Sequence, residues 1–332
     1  MKKIKLAING FGRIGRVLTR AIQNHPNIEL VAVNDLADAK MLAHLLKYDS
    51  VHRKFPKNVS FTDDGILVED KLIKVFNKRN PEELPWGELD IDVVVESTGI
   101  FRTRDTASKH LTAGAKKVII SAPAKGGEVK SVVVGINDEI LDKENDTVIS
   151  NASCTTNCAA PMVKIIDDLC SIENSFLTTI HSYTGDQRLL DAPHKDFRRA
   201  RAAAESIVPT TTGAALAVTK ILPHLEGKIQ GSAVRVPTPD GSLTDITFLV
   251  KKPTTKEEIN KKFKEASETF LKGVLEYTEE PLVSVDIVGN THSCIIDAQL
   301  TEVNGNLVKV VGWYDNETGY SNRLADLIEL LF

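Results

Sequence analysis

The sequence predicts an α/β protein in two parts: a parallel sheet covered by helices, then an α+β part with a mostly antiparallel sheet. Short apolar runs alternate with helical patterns through the first half, which is typical of strands buried on both faces. The second half changes to longer alternating strands separated by turn signals. A length of 332 residues suits two domains of ordinary size.

In the first half, the alternation predicts six strands and at least two helices. Helical patterns extend through Ile22 and over residues 39–48. The predicted strands are residues 3–8, 28–35, 91–99, 116–123, 131–137 and 147–150.

The second half combines helices with strands of alternating polarity. Thr255 and Glu258 form a capping box that predicts the start of a helix. Asn304-Gly305-Asn306 is a hairpin signal, and Pro239-Asp240-Gly241 is a turn signal between two strands. The predicted elements are a helix at 159–169, strands at 175–182, 232–238 and 243–252, and a C-terminal helix with Leu324, Leu327, Ile328 and Leu331 on one face.

Composition excludes several functional classes. A net charge of −4 argues against general nucleic-acid binding. No apolar run approaches ~18 residues, so no membrane span is expected. The N-terminal residues lack the long apolar region of a signal peptide, and four cysteines in this length are not a disulfide framework. We therefore expect a cytoplasmic protein.

A glycine motif connects the first predicted strand to the first helix. Gly10, Gly12 and Gly15 have the GxGxxG spacing, and Asp35 ends the next strand. In this context glycines let the backbone approach a pyrophosphate at the helix start, and the carboxylate binds a ribose 2′-hydroxyl. The pattern predicts a dinucleotide site of Rossmann type that prefers NAD; a tight turn without a ligand is the alternative.

Two of the four cysteines, Cys154 and Cys158, lie in NASCTTNC. A zinc site is disfavoured because Cys170 and Cys294 have no histidine partners at the right spacing. A disulfide is disfavoured because Cβ atoms four residues apart on a helix are ~5–6 Å apart. Cys154 is then either a nucleophile whose pKa the helix start lowers, or a small core residue. Cys158 is predicted to be core.

A nucleophile needs a base, and its substrate needs binding groups. His181 ends an apolar strand before a polar loop, whereas other histidines have ordinary polar surroundings: His25, His52, His110 and His194. Arg235 lies inside an apolar strand, where a charge needs a partner or a ligand. The RRAR run at 198–201 and the segment 210–213 are further candidates for anion binding.

Together these segments resemble the phosphorylating glyceraldehyde-3-phosphate dehydrogenases over residues 8–323. The most specific match is SNASCTTNC; others include INGFGRIGR, VVESTG, RRARAAAESIVPTTTGAA and WYDNETGYSNR. The resemblance implies that Cys154 attacks an aldehyde, that His181 is the base, and that NAD accepts the hydride. By position it assigns the cofactor to Gly10, Gly12, Arg13, Ile14, Gly15, Asp35, Arg79, Ser121 and Asn316. It assigns inorganic phosphate to Ser153, Thr155, Thr212 and Gly213, and the phosphate of glyceraldehyde 3-phosphate to Thr184, Asp186 and Arg235, with Arg199 between them.

The resemblance also implies an organisation. We expect an NAD-binding domain at 1–152, a catalytic domain at 153–316, and a C-terminal helix at 317–332 that returns to the first domain. A homotetramer without a metal is expected. Ala192 replaces a leucine frequent in NAD-preferring members, which weakens the case for strict NAD selectivity. The alternatives are an erythrose-4-phosphate dehydrogenase, whose members lack the Thr212-Gly213 pair, and a non-catalytic NAD-binding protein.

Overall fold

The protein is described by a computed structural model covering residues 3–126 and 128–332. The chain divides into two compact units. The first contains the described residues through Val132 together with Glu139–Ala152 and Ser321–Phe332. The second contains Val133–Asp138 and Ser153–Tyr320.

The first unit is built on a nine-stranded, mostly parallel sheet. In chain order its strands are β1 (Ile4–Asn9), β2 (Ile28–Asn34), β3 (Val59–Thr62), β4 (Gly65–Val68), β5 (Lys71–Phe76), β6 (Val93–Glu96), β7 (Lys117–Ile120), β8 (Lys130–Ser131) and β9 (Val148–Ser150). Their order across the sheet is β3-β4-β5-β2-β1-β6-β7-β9-β8, and only the pairs formed by β4 with β3 and β5 are antiparallel. The helices are α1 (Arg13–Ala21), α2 (Ala39–Lys47), α3 (Arg104–Ala107), α4 (Lys109–Thr112) and, from Ser321 on, the C-terminal helix α9 (Thr318–Leu330).

The strand predicted at 131–137 is wrong over most of its length, because only Lys130–Ser131 pairs within the sheet. Side chains beyond it turn the chain instead. Asn137 Oδ1 accepts the Val133 N–H at 2.8 Å, and Asp138 Oδ1 accepts the Gly135 N–H at 2.6 Å. Gly135 has φ +81°, which takes the backbone out of an extended conformation.

The second unit has an eight-stranded, mostly antiparallel sheet. Its strands are β10 (Ile172–Ser182), β11 (Val208–Thr210), β12 (Ile229–Val236), β13 (Ser242–Val250), β14 (Leu275–Thr278), β15 (Cys294–Asp297), β16 (Glu302–Asn304) and β17 (Leu307–Tyr314). The order is β11-β12-β10-β13-β17-β15-β14, with β16 paired to β17. The helices are α5 (Cys154–Cys170), α6 (Ala214–Ile221), α7 (Lys256–Glu268) and α8 (Ser284–Ile287).

Two local signals of this unit are confirmed. Thr255 and Glu258 form the capping box at the start of α7, and Asn304-Gly305-Asn306 joins β16 to β17. The turn at residues 239–241 connects β12 and β13, but these strands do not pair with each other. They lie on either side of β10, with β12 parallel to it and β13 antiparallel.

The central strand β10 positions the site of this unit. In the parallel register of β10 and β12, His181 pairs with Arg235. Residues in register on adjacent strands point to the same face of a sheet, so the histidine and the arginine are neighbours. Among the described residues, no helix has the length and apolar character needed to span a membrane.

Candidate functional site

Backbone crowding explains two of the three motif glycines in the first unit. A Cβ atom on Gly10, whose φ is +91°, would lie 2.7 Å from the Thr98 amide nitrogen. A Cβ atom on Gly15 would lie 2.6 Å from the Gly10 carbonyl oxygen. Only glycine fits at either position, and the tight turn leads the chain from β1 directly into α1.

The carboxylate of Asp35, the residue after β2, is held next to this turn. Its Oδ2 accepts the Phe11 N–H at 2.8 Å, and its Oδ1 accepts the Ala37 N–H at 3.1 Å. Asp49 pairs with the guanidinium of Arg13 at 2.6 Å. Arg13 and Ile14 form the first turn of α1, where backbone N–H groups attract an anion.

A cavity of ≈ 370 Å³ opens beside this turn. Gly12, Asp35 and Arg79 line it, as predicted for residues that contact a dinucleotide; Ser121 follows β7 and is not part of the lining. The combination of crowded glycines, a helix start and a fixed carboxylate fits an adenine dinucleotide. The full lining is Asn9, Gly10, Gly12, Asn34, Asp35, Leu36, Lys78, Arg79, Ser97, Thr98, Ile100 and Phe101.

The second unit brings together the predicted nucleophile and base. Cys154 is the first residue of α5, and Ser153 caps that helix by accepting the Thr156 N–H at 3.0 Å. Cys154 Sγ lies 3.4 Å from His181 Nε2, and His181 is buried. This is hydrogen-bond distance for a sulfur, so a proton can pass directly between thiol and imidazole.

The electrostatics of this pair differ from the sequence expectation. Burial raises the pKa of the Cys154 thiol to about 11, although the charge of Arg235 and the Thr155 N–H act to lower it. Burial, followed by the charge of Arg235, lowers the pKa of His181 to about 3. The expectation of a lowered thiol pKa is therefore wrong for this structure, because desolvation outweighs the helix start. In this structure both shifts favour the neutral forms, a thiol on Cys154 and an uncharged imidazole on His181.

Arg235 contacts the base directly. Its Nη1 lies 2.6 Å from His181 Nδ1 and 3.1 Å from the Ser182 carbonyl oxygen. The same carbonyl lies 2.7 Å from Nδ1 and accepts a proton carried there. A guanidinium this close disfavours a positive charge on the ring. When Nδ1–H donates to the Ser182 carbonyl, Nε2 of the neutral ring is the acceptor toward Cys154, and Arg235 donates to the same carbonyl rather than to Nδ1.

Three of the residues predicted to bind the substrate phosphate form one cluster. Asp186 accepts hydrogen bonds from the Thr184 hydroxyl and the Arg199 guanidinium, and Arg199 Nε donates to Thr210 Oγ1 at 3.0 Å. Burial raises the pKa of Asp186, but the Thr184 hydrogen bond and the charges of Arg235 and Arg199 outweigh it and lower the pKa below its ordinary value. The carboxylate is therefore charged, and it orders Arg199.

The residues expected around inorganic phosphate are less uniform. Gly213 occupies the N-cap position of α6, and Thr212 Oγ1 accepts the Ala214 N–H at 3.1 Å. The Ser153 hydroxyl is the cap of α5. The Thr155 hydroxyl is buried against the Tyr314 hydroxyl at 2.9 Å. Ser153 and Thr155 therefore have structural tasks as well as positions next to the nucleophile.

Sequence reasoning missed the residues that hold the predicted ones in place. Ser182 and Ser242 donate to Asn316 Oδ1 at 2.8 and 2.7 Å, which fixes the orientation of the Asn316 amide, with its NH₂ group as the donor side. The Tyr314 hydroxyl bridges Thr155 to Thr179 at 2.9 and 2.8 Å. Tyr314 is two residues from Asn316, but this proximity gives no sign of its partners.

Cys158 lies one turn after Cys154, in the interior. Its side chain is fully buried, with Sγ 4.0 Å from Met162 Sδ and 3.7 Å from the Gly312 carbonyl oxygen. Cys154, Cys158, Cys170 and Cys294 are all free thiols. Cys158 has the surroundings of a small core residue.

A dinucleotide-binding unit combined with a unit that carries a paired cysteine and histidine defines an NAD-dependent dehydrogenase. Comparison with known proteins identifies which one. Residues 4–104 match the NAD binding domain of glyceraldehyde 3-phosphate dehydrogenase, and residues 153–316 match its C-terminal domain. The chain belongs to the glyceraldehyde-3-phosphate dehydrogenase family.

Relatives match along nearly the whole chain, and each is named glyceraldehyde-3-phosphate dehydrogenase. The protein of Thermotoga maritima is 58% identical over 330 residues, 98% of either chain. That of Geobacillus stearothermophilus is 57% identical over 325 residues, covering 98% of this chain and 97% of the relative. Glyceraldehyde-3-phosphate dehydrogenase 1 of Bacillus subtilis is 56% identical with the same coverage.

Proposed function

We propose that this protein oxidises glyceraldehyde 3-phosphate with NAD and inorganic phosphate, giving 1,3-bisphosphoglycerate. The observation that carries the proposal is the 3.4 Å contact of Cys154 Sγ with His181 Nε2, next to the half-buried Arg235, in a chain of this family. The erythrose-4-phosphate alternative is not favoured, because the relatives are named for glyceraldehyde 3-phosphate and the Thr212-Gly213 pair is present.

The chemistry begins at the Cys154 thiol. As sulfur attacks the aldehyde carbon, His181 Nε2 takes the thiol proton, and a thiohemiacetal forms on Cys154. Bound NAD supplies the hydride acceptor. His181 returns the thiol proton to the alkoxide oxygen, which becomes the hydroxyl of the thiohemiacetal, and takes it again as the hydride leaves, so that the carbonyl of a thioester can form. Attack by inorganic phosphate releases the acyl phosphate and restores the thiol.

Two groups of anion-binding residues suit two different phosphates. Thr184, Asp186, Arg199 and Arg235 are proposed to hold the phosphate of the substrate, a task supported by the ordered guanidinium of Arg199. Thr212 and Gly213, at the start of α6, are proposed to receive inorganic phosphate together with Ser153 and Thr155. Two separate groups are needed because the substrate phosphate and inorganic phosphate are both bound when inorganic phosphate attacks the thioester, and two dianions would repel at close range.

The cofactor residues are proposed on the same basis. Asn316 would bind the nicotinamide carboxamide, while the adenosine half would contact the cavity of the first unit, with Ser121 nearby. The domain limits 1–152 and 153–316, with residues 317–332 returning to the first domain, are likewise proposed. So are a homotetramer and a cytoplasmic location.

The test is the formation of NADH by purified protein under four conditions. Glyceraldehyde 3-phosphate and erythrose 4-phosphate are each supplied with and without inorganic phosphate. We expect sustained turnover only with glyceraldehyde 3-phosphate and phosphate together, and a single burst without phosphate. Faster turnover of erythrose 4-phosphate, independent of inorganic phosphate, would establish the alternative.

A further inference from the structure

A buried polar network lies behind the cavity of the first unit, centred on Glu96 at the end of β6. Its side chain is 1% exposed. Oε2 accepts from Asn9 Nδ2 at 2.6 Å and from His110 Nε2 at 3.0 Å. Oε1 accepts from the Thr98 N–H at 2.9 Å and also from the Thr98 hydroxyl. Four donors match the acceptor capacity of a carboxylate, which explains how a charge is tolerated in the interior.

His110 is the second member of the network. The prediction that it has ordinary polar surroundings is wrong, because its side chain is fully buried. The Trp86 indole N–H, which can only donate, forms a hydrogen bond to His110 Nδ1 at 3.0 Å. Nδ1 is therefore unprotonated, and Nε2 carries the proton that bonds Glu96. Trp86 thus fixes the tautomer through which His110 holds the carboxylate.

The network ends on residues that line the cavity. Asn9 Oδ1 accepts from Asn34 Nδ2 at 2.7 Å. Asn34 in turn bonds both backbone groups of Lys78, accepting its N–H at 2.8 Å and donating to its carbonyl at 2.9 Å. With Thr98, these contacts connect Glu96 to four separate lining segments, whereas Glu96, His110 and Trp86 are outside the lining.

From this arrangement we infer that Glu96 and His110 are positioning residues, which hold Asn9, Asn34 and Thr98 in the geometry that binds the adenosine half of NAD. The inference rests on the proposed cofactor site. Without the network, the four lining segments would have to be ordered by the ligand, and that cost would weaken binding. Among the described residues, Asn316, Cys154 and His181 take no part in the hydrogen bonds of the network, so turnover at saturating NAD should not depend on it.

The decisive comparison uses the two ends of β6. Glu96→Gln keeps the shape of the side chain but turns an amide NH₂ toward donors. Asp92→Asn is the matched control: Asp92 is a buried carboxylate just before β6, accepting from Lys5 N–H at 2.8 Å and Lys116 Nζ at 2.6 Å, away from the cavity. Binding of ADP-ribose and of NAD is measured by calorimetry on each protein.

We expect Glu96→Gln to bind both ligands roughly tenfold more weakly, in line with the loss of a charged hydrogen bond. The KM for NAD should rise by the same factor with kcat within about twofold. Asp92→Asn should bind ADP-ribose like the wild type even where its melting temperature falls. Equal weakening in both variants, or wild-type affinity in folded Glu96→Gln, would overturn the inference.

A second pair of variants applies if Glu96→Gln does not fold. His110→Gln keeps one donor for Glu96 and one acceptor for Trp86 and should bind ADP-ribose within about threefold of the wild type, whereas His110→Leu keeps neither and should lose roughly tenfold. Equal affinities in these two variants would refute the positioning role alone. Wild-type protein that fails to bind ADP-ribose would instead refute the cofactor site, and the inference with it.

Discussion

Replacing Arg235 by methionine should slow the reaction with phosphorylated and unphosphorylated glyceraldehyde alike. Sequence alone places Arg235 on the substrate phosphate, so that its loss would spare a substrate without one. The contact with the base changes this expectation, since Nη1 lies 2.6 Å from His181 Nδ1. The variant removes a half-buried guanidinium that donates to the Ser182 carbonyl, which is also the acceptor of the Nδ1 proton and so orients the imidazole ring.

The size of the effect follows from the contacts that are lost. A charge-assisted hydrogen bond contributes ~1.5–3 kcal/mol, or roughly one to two decades in rate. The hydrogen bond lost at the Ser182 carbonyl, which orients the His181 ring, matters for any aldehyde, so kcat/KM for unphosphorylated glyceraldehyde should fall roughly ten- to a hundredfold. With glyceraldehyde 3-phosphate a second loss of similar size, at the phosphate, should be added.

The assay is kcat/KM for both aldehydes, with Arg199→Met as the matched control. Arg199 donates its hydrogen bonds to Asp186 and Thr210 rather than to His181 or the Ser182 carbonyl, so its variant should lose one to two decades only with the phosphorylated substrate. If Arg235→Met leaves unphosphorylated glyceraldehyde unaffected, the contact with His181 is unimportant for catalysis. If Arg199→Met slows both aldehydes equally, the separation of tasks is refuted.

Three further predictions concern other carboxylates and the cysteines. Cys154→Ser should abolish NADH formation while NAD affinity stays within about twofold, whereas Cys158→Ser should retain most activity; equal losses in two folded variants would contradict the assignment. Asp35→Asn should raise the NADP-to-NAD ratio of kcat/KM by roughly tenfold, because the charge that repels a 2′-phosphate is gone; an unchanged ratio would exclude Asp35 as the selector. Burial, and then the carboxylates of Asp315 and Glu317, raise the pKa of Asp240 to about 9. A carboxyl whose pKa is raised by folding makes the protein less stable as pH rises from the pKa of the unfolded state toward that of the folded state. Asp240→Asn should therefore raise the melting temperature at pH 9 by at least ~2–4 °C and much less at pH 4. An equal gain at both pH values would refute the shift.

The fold class could be predicted because its signals are local. Buried parallel strands are continuous apolar runs, and the GxGxxG turn, the capping box and the hairpin are each contained in a few residues. The pairing of strands could not be predicted in the same way. β12 and β13 are consecutive in the chain but lie on opposite sides of β10, and a turn signal gives no information about which strands pair across it.

The candidate site likewise contains residues that could be predicted from local signals and residues that could not. Cys154 and His181 could be proposed because each lies in a distinctive local setting, a helix start and the end of a strand. Tyr314, Ser182 and Ser242 support other residues across long stretches of chain, and their identities alone do not indicate those partners. His110 is the clearest failure: polar neighbours in the sequence hide a side chain buried between Trp86 and Glu96.

The pairing of β10 with β12 has a consequence for how this chain tolerates change in its length. Arg235 reaches His181 only because the two strands keep one register, and a shift by one residue would turn the arginine to the opposite face of the sheet. A single-residue insertion or deletion within β12 would therefore separate the two side chains even if the sheet still formed. One or two residues added at Gly227, an exposed turn residue with φ +79° just before β12, leave that register intact. Libraries that vary loop length can accordingly sample this turn freely, but should keep residues 229–236 at constant length.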